Sequence, residues 1–289
     1  MPMEQGPGRV HIPAGAHHAP MLHPLLVIAL LLAPSSALAD GEGVPSWLAG
    51  ELSLSTGVDY TQGHYGDDER TEILYVPVTF AYLFDELALT PYPNDLFELK
   101  VTLPWVSVEG PTVPDGQGQV SDGGPNANDQ RHGLGDIVVG ASYLLFPPAD
   151  SRLPALELSG RVKTPSADEG KGLGTGEPSY TVQVDLYRRF GAITPLVTAG
   201  YRISDASREV AFTSVGASVR VAEELSGGLL YDWSQGAVSD QGHVHELFPY
   251  LTIRTGEHVR VTPYSVIGLS PDAADWGVGL QLKLSVPVR

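Results

Sequence analysis

From residue 40 onward, apolar and polar side chains alternate one by one over long stretches. In the run 180–189 Tyr180, Val182, Val184 and Leu186 fall on one side, and Thr181, Gln183, Asp185, Tyr187 and Arg189 on the other. A period of two marks a β-strand with one dry and one wet face. The same period runs through Phe97, Leu99, Val101, Leu103 and Trp105, against Glu98, Lys100 and Thr102. It returns in Leu156, Leu158 and Val162 against Glu157, Ser159, Arg161 and Lys163, and in Trp276, Val278, Leu280, Leu282 and Leu284 against Gln281, Lys283 and Ser285. These runs predict twelve strands, over 51–61, 71–83, 96–108, 135–147, 153–164, 177–190, 192–204, 209–221, 224–235, 245–255, 257–269 and 275–286. At 11–14 residues they exceed the mode of about 5–6 in soluble proteins and are long enough for the ~9–11 of bilayer-crossing strands.

The links carry a second signal. Phe190-Gly191, Ala222-Glu223 and Thr255-Gly256-Glu257 are tight, whereas 62–70, 165–176 and 236–244 are longer and polar, and 109–134 is longest. Short turns on one rim and long loops on the other is the asymmetry of outer-membrane barrels, whose short rim is periplasmic. The link 84–95 is long for that rim, and the outer loops near Asp205 and Asp272 are short. The expected fold is therefore all-β: a single transmembrane, up-and-down antiparallel barrel of about twelve strands.

Residues 1–39 stand apart. The apolar run 25–33, followed by Ala37-Leu38-Ala39, reads as a secretory signal peptide cut before Asp40, with a possible overlong N-terminal extension and a weakly basic leader of Arg9 and His23. The run is too short for a membrane helix, which needs roughly 20 apolar residues. The barrel is assigned to 40–289.

Composition agrees. Thirty-three Gly and 24 Pro argue against a helical bundle, a hydrophobic fraction of 42% argues against disorder, and the absence of Cys removes disulfides and thiol chemistry. A formal charge of −17 disfavours nucleic acid. Much of the acid lies in the long loops, at Asp67, Asp68, Glu69, Asp115, Asp122, Asp129, Asp168, Glu169 and Asp240. Such carboxylates suit solvation, or divalent bridging to lipopolysaccharide. The segment Asp115–Asp122 lacks the acidic register of an EF-hand, and no metal site is expected there.

On the polar faces of the strands lie Glu98, Lys100, Glu157, Arg161, Lys163, Asp185, Arg189, Arg202, Arg220, Asp232, Arg254, Arg260 and Lys283, the predicted lumen-lining set. Charges of both signs on one closed interior either pair across the lumen and fill it or line a wet pore. Twelve strands enclose more than an eight-stranded barrel filled by its side chains and less than a sixteen-stranded porin. A narrow passage for one small solute follows, with 109–134 long enough either to fold inward and constrict it or to stay outside as a disordered external loop.

Several segments in order resemble a known family. They are Gly133-Leu134-Gly135-Asp136 opening a strand, Lys163-Thr164-Pro165, Gly172-Leu173-Gly174-Thr175-Gly176, the strand 179–185, then Arg189-Phe190-Gly191, Thr194-Pro195 and Gly200-Tyr201-Arg202. Together, over about residues 95–286, they resemble the outer-membrane family named for the meta-pathway of phenol degradation. The resemblance implies barrel transporters, several encoded beside aromatic-degradation enzymes, and uptake of small hydrophobic or aromatic compounds. One departure is the ending Val286-Pro287-Val288-Arg289, where such barrels usually carry an aromatic residue read by the barrel-assembly machinery.

No reaction is implied, and neither a catalytic residue nor a cofactor. No Gly-x-Ser-x-Gly elbow occurs. His243 and His245, with Glu246 adjacent, share a strand face but lack a matched third ligand, and Glu223-Glu224 is a solvated turn. Trp47, Trp105, Trp233 and Trp276, with Tyr60, Tyr75, Tyr143 and Tyr231, fall near strand ends as interfacial girdles require. The expected function is a passive outer-membrane channel for small, hydrophobic or aromatic solutes, with outer-membrane lipid and lipopolysaccharide, the solute and the assembly machinery as partners. A structural or adhesive barrel with a packed lumen, and a soluble periplasmic β-protein, are the alternatives.

Overall fold

The computed structural model describes residues 49–66, 68–84, 95–114, 120–122, 130–147, 151–204, 209–236 and 242–288. The signal-peptide segment 1–39, Trp47, and the loop acids Asp67, Asp115, Asp129 and Asp240 lie outside them.

Twelve long strands close on themselves. They are β1 (Gly50–Gly63), β2 (Thr71–Phe84), β3 (Leu96–Glu109), β7 (Val138–Leu145), β8 (Ala155–Lys163), β9 (Ser179–Tyr187), β10 (Ile193–Ser204), β11 (Val210–Arg220), β12 (Leu225–Ser234), β13 (Val244–Thr255), β14 (Val259–Gly268) and β15 (Trp276–Val288). Each pairs antiparallel with its neighbour in the chain, and β1 closes the sheet on β15, from Gly50 opposite Val288 to Gln62 opposite Trp276. Closure removes the two open edges that a free sheet would present.

Outward positions carry Leu52, Leu54 and Val58 on β1, Tyr180, Val182, Val184 and Leu186 on β9, and Val278, Leu280, Leu282, Leu284 and Val286 on β15, all exposed. Similar residues continue round the other strands. A contiguous apolar belt of this extent is a surface made for lipid, far larger than the patches of soluble monomers. Inward positions carry the opposite chemistry, with Ser53, Ser55, Ser142, Ser179, Thr181, Gln183, Thr198, Ser214 and Thr262 buried among charged groups.

Three features depart from the predicted strands. The fourth is split: β6 (Arg131–Leu134) and β7 both pair with β3, and Gly135, Asp136 and Ile137 between them leave the ladder. The Gly135 amide there turns to the Pro104 carbonyl, at 2.9 Å. The sixth stops at Tyr187, three residues early, because Phe190 and Ile193 exchange both backbone hydrogen bonds around Gly191, at φ 61°. Within 109–134, β4 (Thr112–Pro114) and β5 (Val120–Asp122) pair as a small separate ribbon. Residues 115–119 and 123–129, and so the loop's path relative to the lumen, lie outside the described residues.

Candidate functional site

Strands of a closed barrel tilt, so a row of residues in direct register climbs from one rim to the other as it circles. One such row is apolar. From the short-turn rim it runs Ala155, Tyr187, Leu196, Gly216, Leu230 and Phe248 across β8 to β13. Val266 of β14 packs next in the same cluster. The row then passes Gly277 and Thr61 to reach Ile73 and Val108 at the long-loop rim. There Ile73 and Val108 join Tyr65, Tyr75, Val106 and Ala274 in a second apolar cluster.

The row on its short-turn side carries Ser218, Tyr250, Tyr264 and Asp59, and the row on its long-loop side is polar. On the long-loop side Glu157, Asp185, Thr198, Ser214, Asp232 and Glu246 follow one another in register and are all buried. Thr198 Oγ1 donates to Asp185 Oδ1 at 2.5 Å, Gln183 Nε2 donates to Asp185 Oδ2 at 2.8 Å, and the Ser214 hydroxyl donates to Asp232. Two rows further on come Lys100, Gly140, Arg161, Thr181 and Arg202. Lys100 Nζ lies 3.5 Å from Glu98 Oε1, and Arg161 donates to Gln183 Oε1 at 2.8 Å. At the short-turn rim Arg254 stands opposite Arg260, and Arg260 opposite Lys283, with Arg220 two strands away from Arg254.

Glycines keep the large rings against the wall. A Cβ on Gly279 would meet Tyr264 Cζ at 2.1 Å, so the ring lies flat over the glycine, and its hydroxyl donates to Asp59 Oδ2 on β1 at 2.5 Å. Phe212 covers Gly200 and Tyr250 covers Gly228 in the same manner. An aromatic laid on a cross-strand glycine occupies little of the interior.

Of the thirteen charged positions read from the alternation, twelve lie in strands on the inward-facing phase. Glu98, Glu157, Lys163, Asp185, Arg202, Asp232 and Lys283 are buried, and Lys100, Arg161, Arg220, Arg254 and Arg260 are half-buried. Arg189 is not among them. It lies two residues beyond β9, exposed in the turn, where its Nε donates to the Gly191 carbonyl at 2.9 Å. Tyr75 also departs from expectation: it points inward in the apolar cluster rather than outward to an interface. Tyr60 and Trp276 do meet on the outer face, with ring centroids 5.6 Å apart, and Trp105, Trp233 and Tyr231 each pair with a histidine near the same rim. His245 is occupied there by the Tyr231 hydroxyl, at 2.6 Å, and no group of three metal-binding side chains occurs among the described residues.

Two features of the long-loop rim escape the alternation. Tyr65, at φ 49° and fully buried, packs its ring against Ile73 and Tyr75 of β2 and Val106 and Val108 of β3 and donates to Thr61 Oγ1 at 3.0 Å. Burial pushes its pKa up, so the hydroxyl remains a neutral donor. Its loop is tied to the last one, with Gly66 N donating to the Pro271 carbonyl at 2.8 Å. The second feature joins Lys163 to Asp136. Lys163 Nζ donates to Asp136 Oδ2 at 2.8 Å and to Thr175 Oγ1 at 2.5 Å, with both charged side chains fully buried. Asp136 Oδ1 also accepts from Ser166 N and Ala167 N, at 3.0 and 2.9 Å. The three motifs Gly133–Asp136, Lys163–Pro165 and Gly172–Gly176 therefore form one clasp, which holds the loop 164–178 over the end of β8. Their recurrence in order was the signal available in the sequence, and only the fold shows that they touch.

No family model and no curated protein matches the chain. Among solved structures, the chain is similar to an outer-membrane channel from Pseudomonas putida F1, at 12% identity and a TM-score of 0.62, covering 86% of this chain and 100% of that one. It also matches a Pseudomonas aeruginosa FadL homologue, at 9% identity, TM-score 0.42, and 82% and 89% coverage. A mutant of TodX, a monoaromatic hydrocarbon channel, matches at 9% identity, TM-score 0.42, and 84% and 90% coverage. The first of these likenesses establishes the fold: a closed antiparallel barrel of the outer-membrane kind.

Proposed function

We propose that the protein is a passive channel of the bacterial outer membrane, exported by the segment 1–39 and cleaved near Ala39/Asp40, that admits small hydrophobic or aromatic solutes. The observation that carries this reading is the apolar row from Ala155 to Val108, which passes from rim to rim beside a row of buried acidic and hydroxyl side chains. A hydrophobic solute moving along that row trades water for side chains at each step, at about 25 cal/mol per Å² of apolar surface covered. The Tyr250 and Tyr264 rings beside it lie against glycines of the wall. The likeness to the Pseudomonas putida channel supports the transport role, and the ordered motifs support kinship with the phenol meta-pathway barrels. In this orientation the short-turn rim is periplasmic, the belt contacts lipid, and Asp68, Glu69, Asp168 and Glu169 face outward lipopolysaccharide. Insertion requires the barrel-assembly machinery.

A packed-lumen structural barrel is the second reading, favoured by Tyr65 in the outer mouth and by the Glu98–Lys100 pair. Liposome swelling separates the two. Vesicles carrying the protein should admit small aromatic alcohols faster than empty vesicles; identical rates would remove the transport reading.

A further inference from the structure

The lipid-facing surface changes character at the short-turn rim. On β9 the exposed outward column Tyr180, Val182, Val184 and Leu186 is followed in the same phase by Arg188. At ~3.3 Å per residue Arg188 stands about 7 Å beyond Leu186, where the apolar belt ends. Arg189 and Phe190 come next, both exposed, in the hairpin turned by Gly191 at φ 61°. The link before β8 adds Arg152 and Leu153, also exposed. Arg188 ties the two links together: its Nη2 donates to the Ser151 carbonyl at 3.3 Å, and its Cζ lies 5.2 Å from the centroid of the Phe190 ring.

Three arginines so placed call for a counter-charge. Among the described residues, no carboxylate lies within 4.0 Å of any of them, and Glu223 and Glu224, on the next hairpin, pair with none. A guanidinium carries five N–H donors. Arg188 spends one on Ser151, Arg189 spends its Nε–H on the Gly191 carbonyl, and Arg152 spends none on another described residue. The apolar side chains beside them continue the belt. Phe190, Ile193, Leu153 and Val221 are each at least half exposed, and Ile193 stands opposite Val219, which Val221 follows in phase. Exposed apolar groups rimmed by polar ones mark a surface that meets a membrane or a partner. The opposite rim exposes Asp68, Glu69, Asp168 and Glu169, which would repel an anion.

We infer that the short-turn rim holds an anionic phospholipid, with the phosphodiester on Arg188, Arg189 and Arg152 and the acyl chains on the outer face beside Phe190 and Ile193. Charge complementarity selects the headgroup, since the planar guanidinium fork matches two phosphate oxygens. Continuity with the belt selects a lipid over a soluble anion, because the chains lie along Leu186 and Val184 as any bilayer lipid does. The Phe190 ring beneath the Arg188 guanidinium keeps that cation at the boundary between the two. This rests on the lipid-facing belt and not on conduction, so its failure leaves the channel reading standing.

The test uses the full-length protein in uncharged detergent micelles and measures binding of phosphatidylglycerol and phosphatidylcholine that carry the same acyl-chain fluorophore. The wild type should prefer phosphatidylglycerol. Each arginine at a headgroup is worth about fivefold, so Arg188→Gln/Arg189→Gln should weaken phosphatidylglycerol about 25-fold and leave phosphatidylcholine within about twofold. Arg188→Lys/Arg189→Lys should keep most of the preference. Arg152→Gln removes a side chain bonded to no other described residue and should cost phosphatidylglycerol about fivefold. Inorganic phosphate in large excess should not displace the lipid. Equal affinity of the wild type for the two lipids overturns the inference and points the arginines to a soluble periplasmic partner. Parallel loss of both lipids in the glutamine variants overturns it too, and displacement by inorganic phosphate would show a free-anion site instead.

Discussion

The buried clasp between Lys163 and Asp136 sets a sharp expectation. Both side chains are fully enclosed, so Asp136→Leu takes the carboxylate away from a buried ammonium. Removing one partner of such a pair costs about 3–5 kcal/mol. It also takes the acceptor from two backbone amides, Ser166 N and Ala167 N, which anchor the loop 164–178. For a chain of this size each kcal/mol shifts the melting temperature by about 2–4 °C, giving a drop of roughly 6–20 °C. Lys163→Met should behave similarly, since it leaves the Asp136 carboxylate buried without its cation. The double variant Asp136→Leu/Lys163→Met should recover most of the charge penalty, because a buried ion pair replaced by apolar groups of similar volume is often close to neutral. Thermal unfolding in detergent micelles, followed by heat-modifiable gel mobility, reads the shift. Limited proteolysis at Lys171 reads release of the loop. Single variants that melt with the wild type and resist cleavage equally would refute the clasp, as would a double variant no better than either single one.

Other outcomes follow from the same geometry. Leu280→Arg, in the middle of β15 on the outer face, should destabilise the barrel in lipid vesicles by about 2–4 kcal/mol, and Val286→Arg, nearer the rim, by about 0–1, measured by folding titrations. Tyr65→Ala removes a ring packed on the inward-facing Ile73, Tyr75, Val106 and Val108 at the long-loop rim and should raise single-channel conductance; unchanged conductance would place the constriction elsewhere. Gly279→Val should lower conductance and weaken folding, since its side chain lifts the Tyr264 ring off the wall and breaks the bond to Asp59.

Strand number and facing were legible because both rest on one strong constraint. A strand with lipid outside and polar groups inside must alternate, and a slip of one residue would turn Glu157 or Asp185 into the bilayer. That constraint ends where the strand ends. Arg189 keeps the phase of Asp185 and Tyr187 in the sequence, yet the hairpin closed by Phe190 and Ile193 carries it into solvent. Tyr75 departs for a related reason: an aromatic near a strand end suits an interface, but its phase on β2 matches Ile73, which points inward. Neither the clasp nor the placement of Tyr65 has a period. Asp136 and Lys163 are 27 residues apart, and only the pairing of β7 with β8 brings them together. The apolar row is likewise invisible along the chain, since each strand contributes one or two members and the barrel's stagger joins them.

The central claim is that the lumen conducts. Purified protein added to a planar lipid bilayer should give discrete, uniform current steps, smaller than those of sixteen-stranded porins because twelve strands enclose a narrower interior. Aromatic solute added to one side should interrupt those steps as it occupies the apolar row. A folded, heat-modifiable protein that inserts and yet stays electrically silent would contradict the channel and favour a barrel filled by its own side chains.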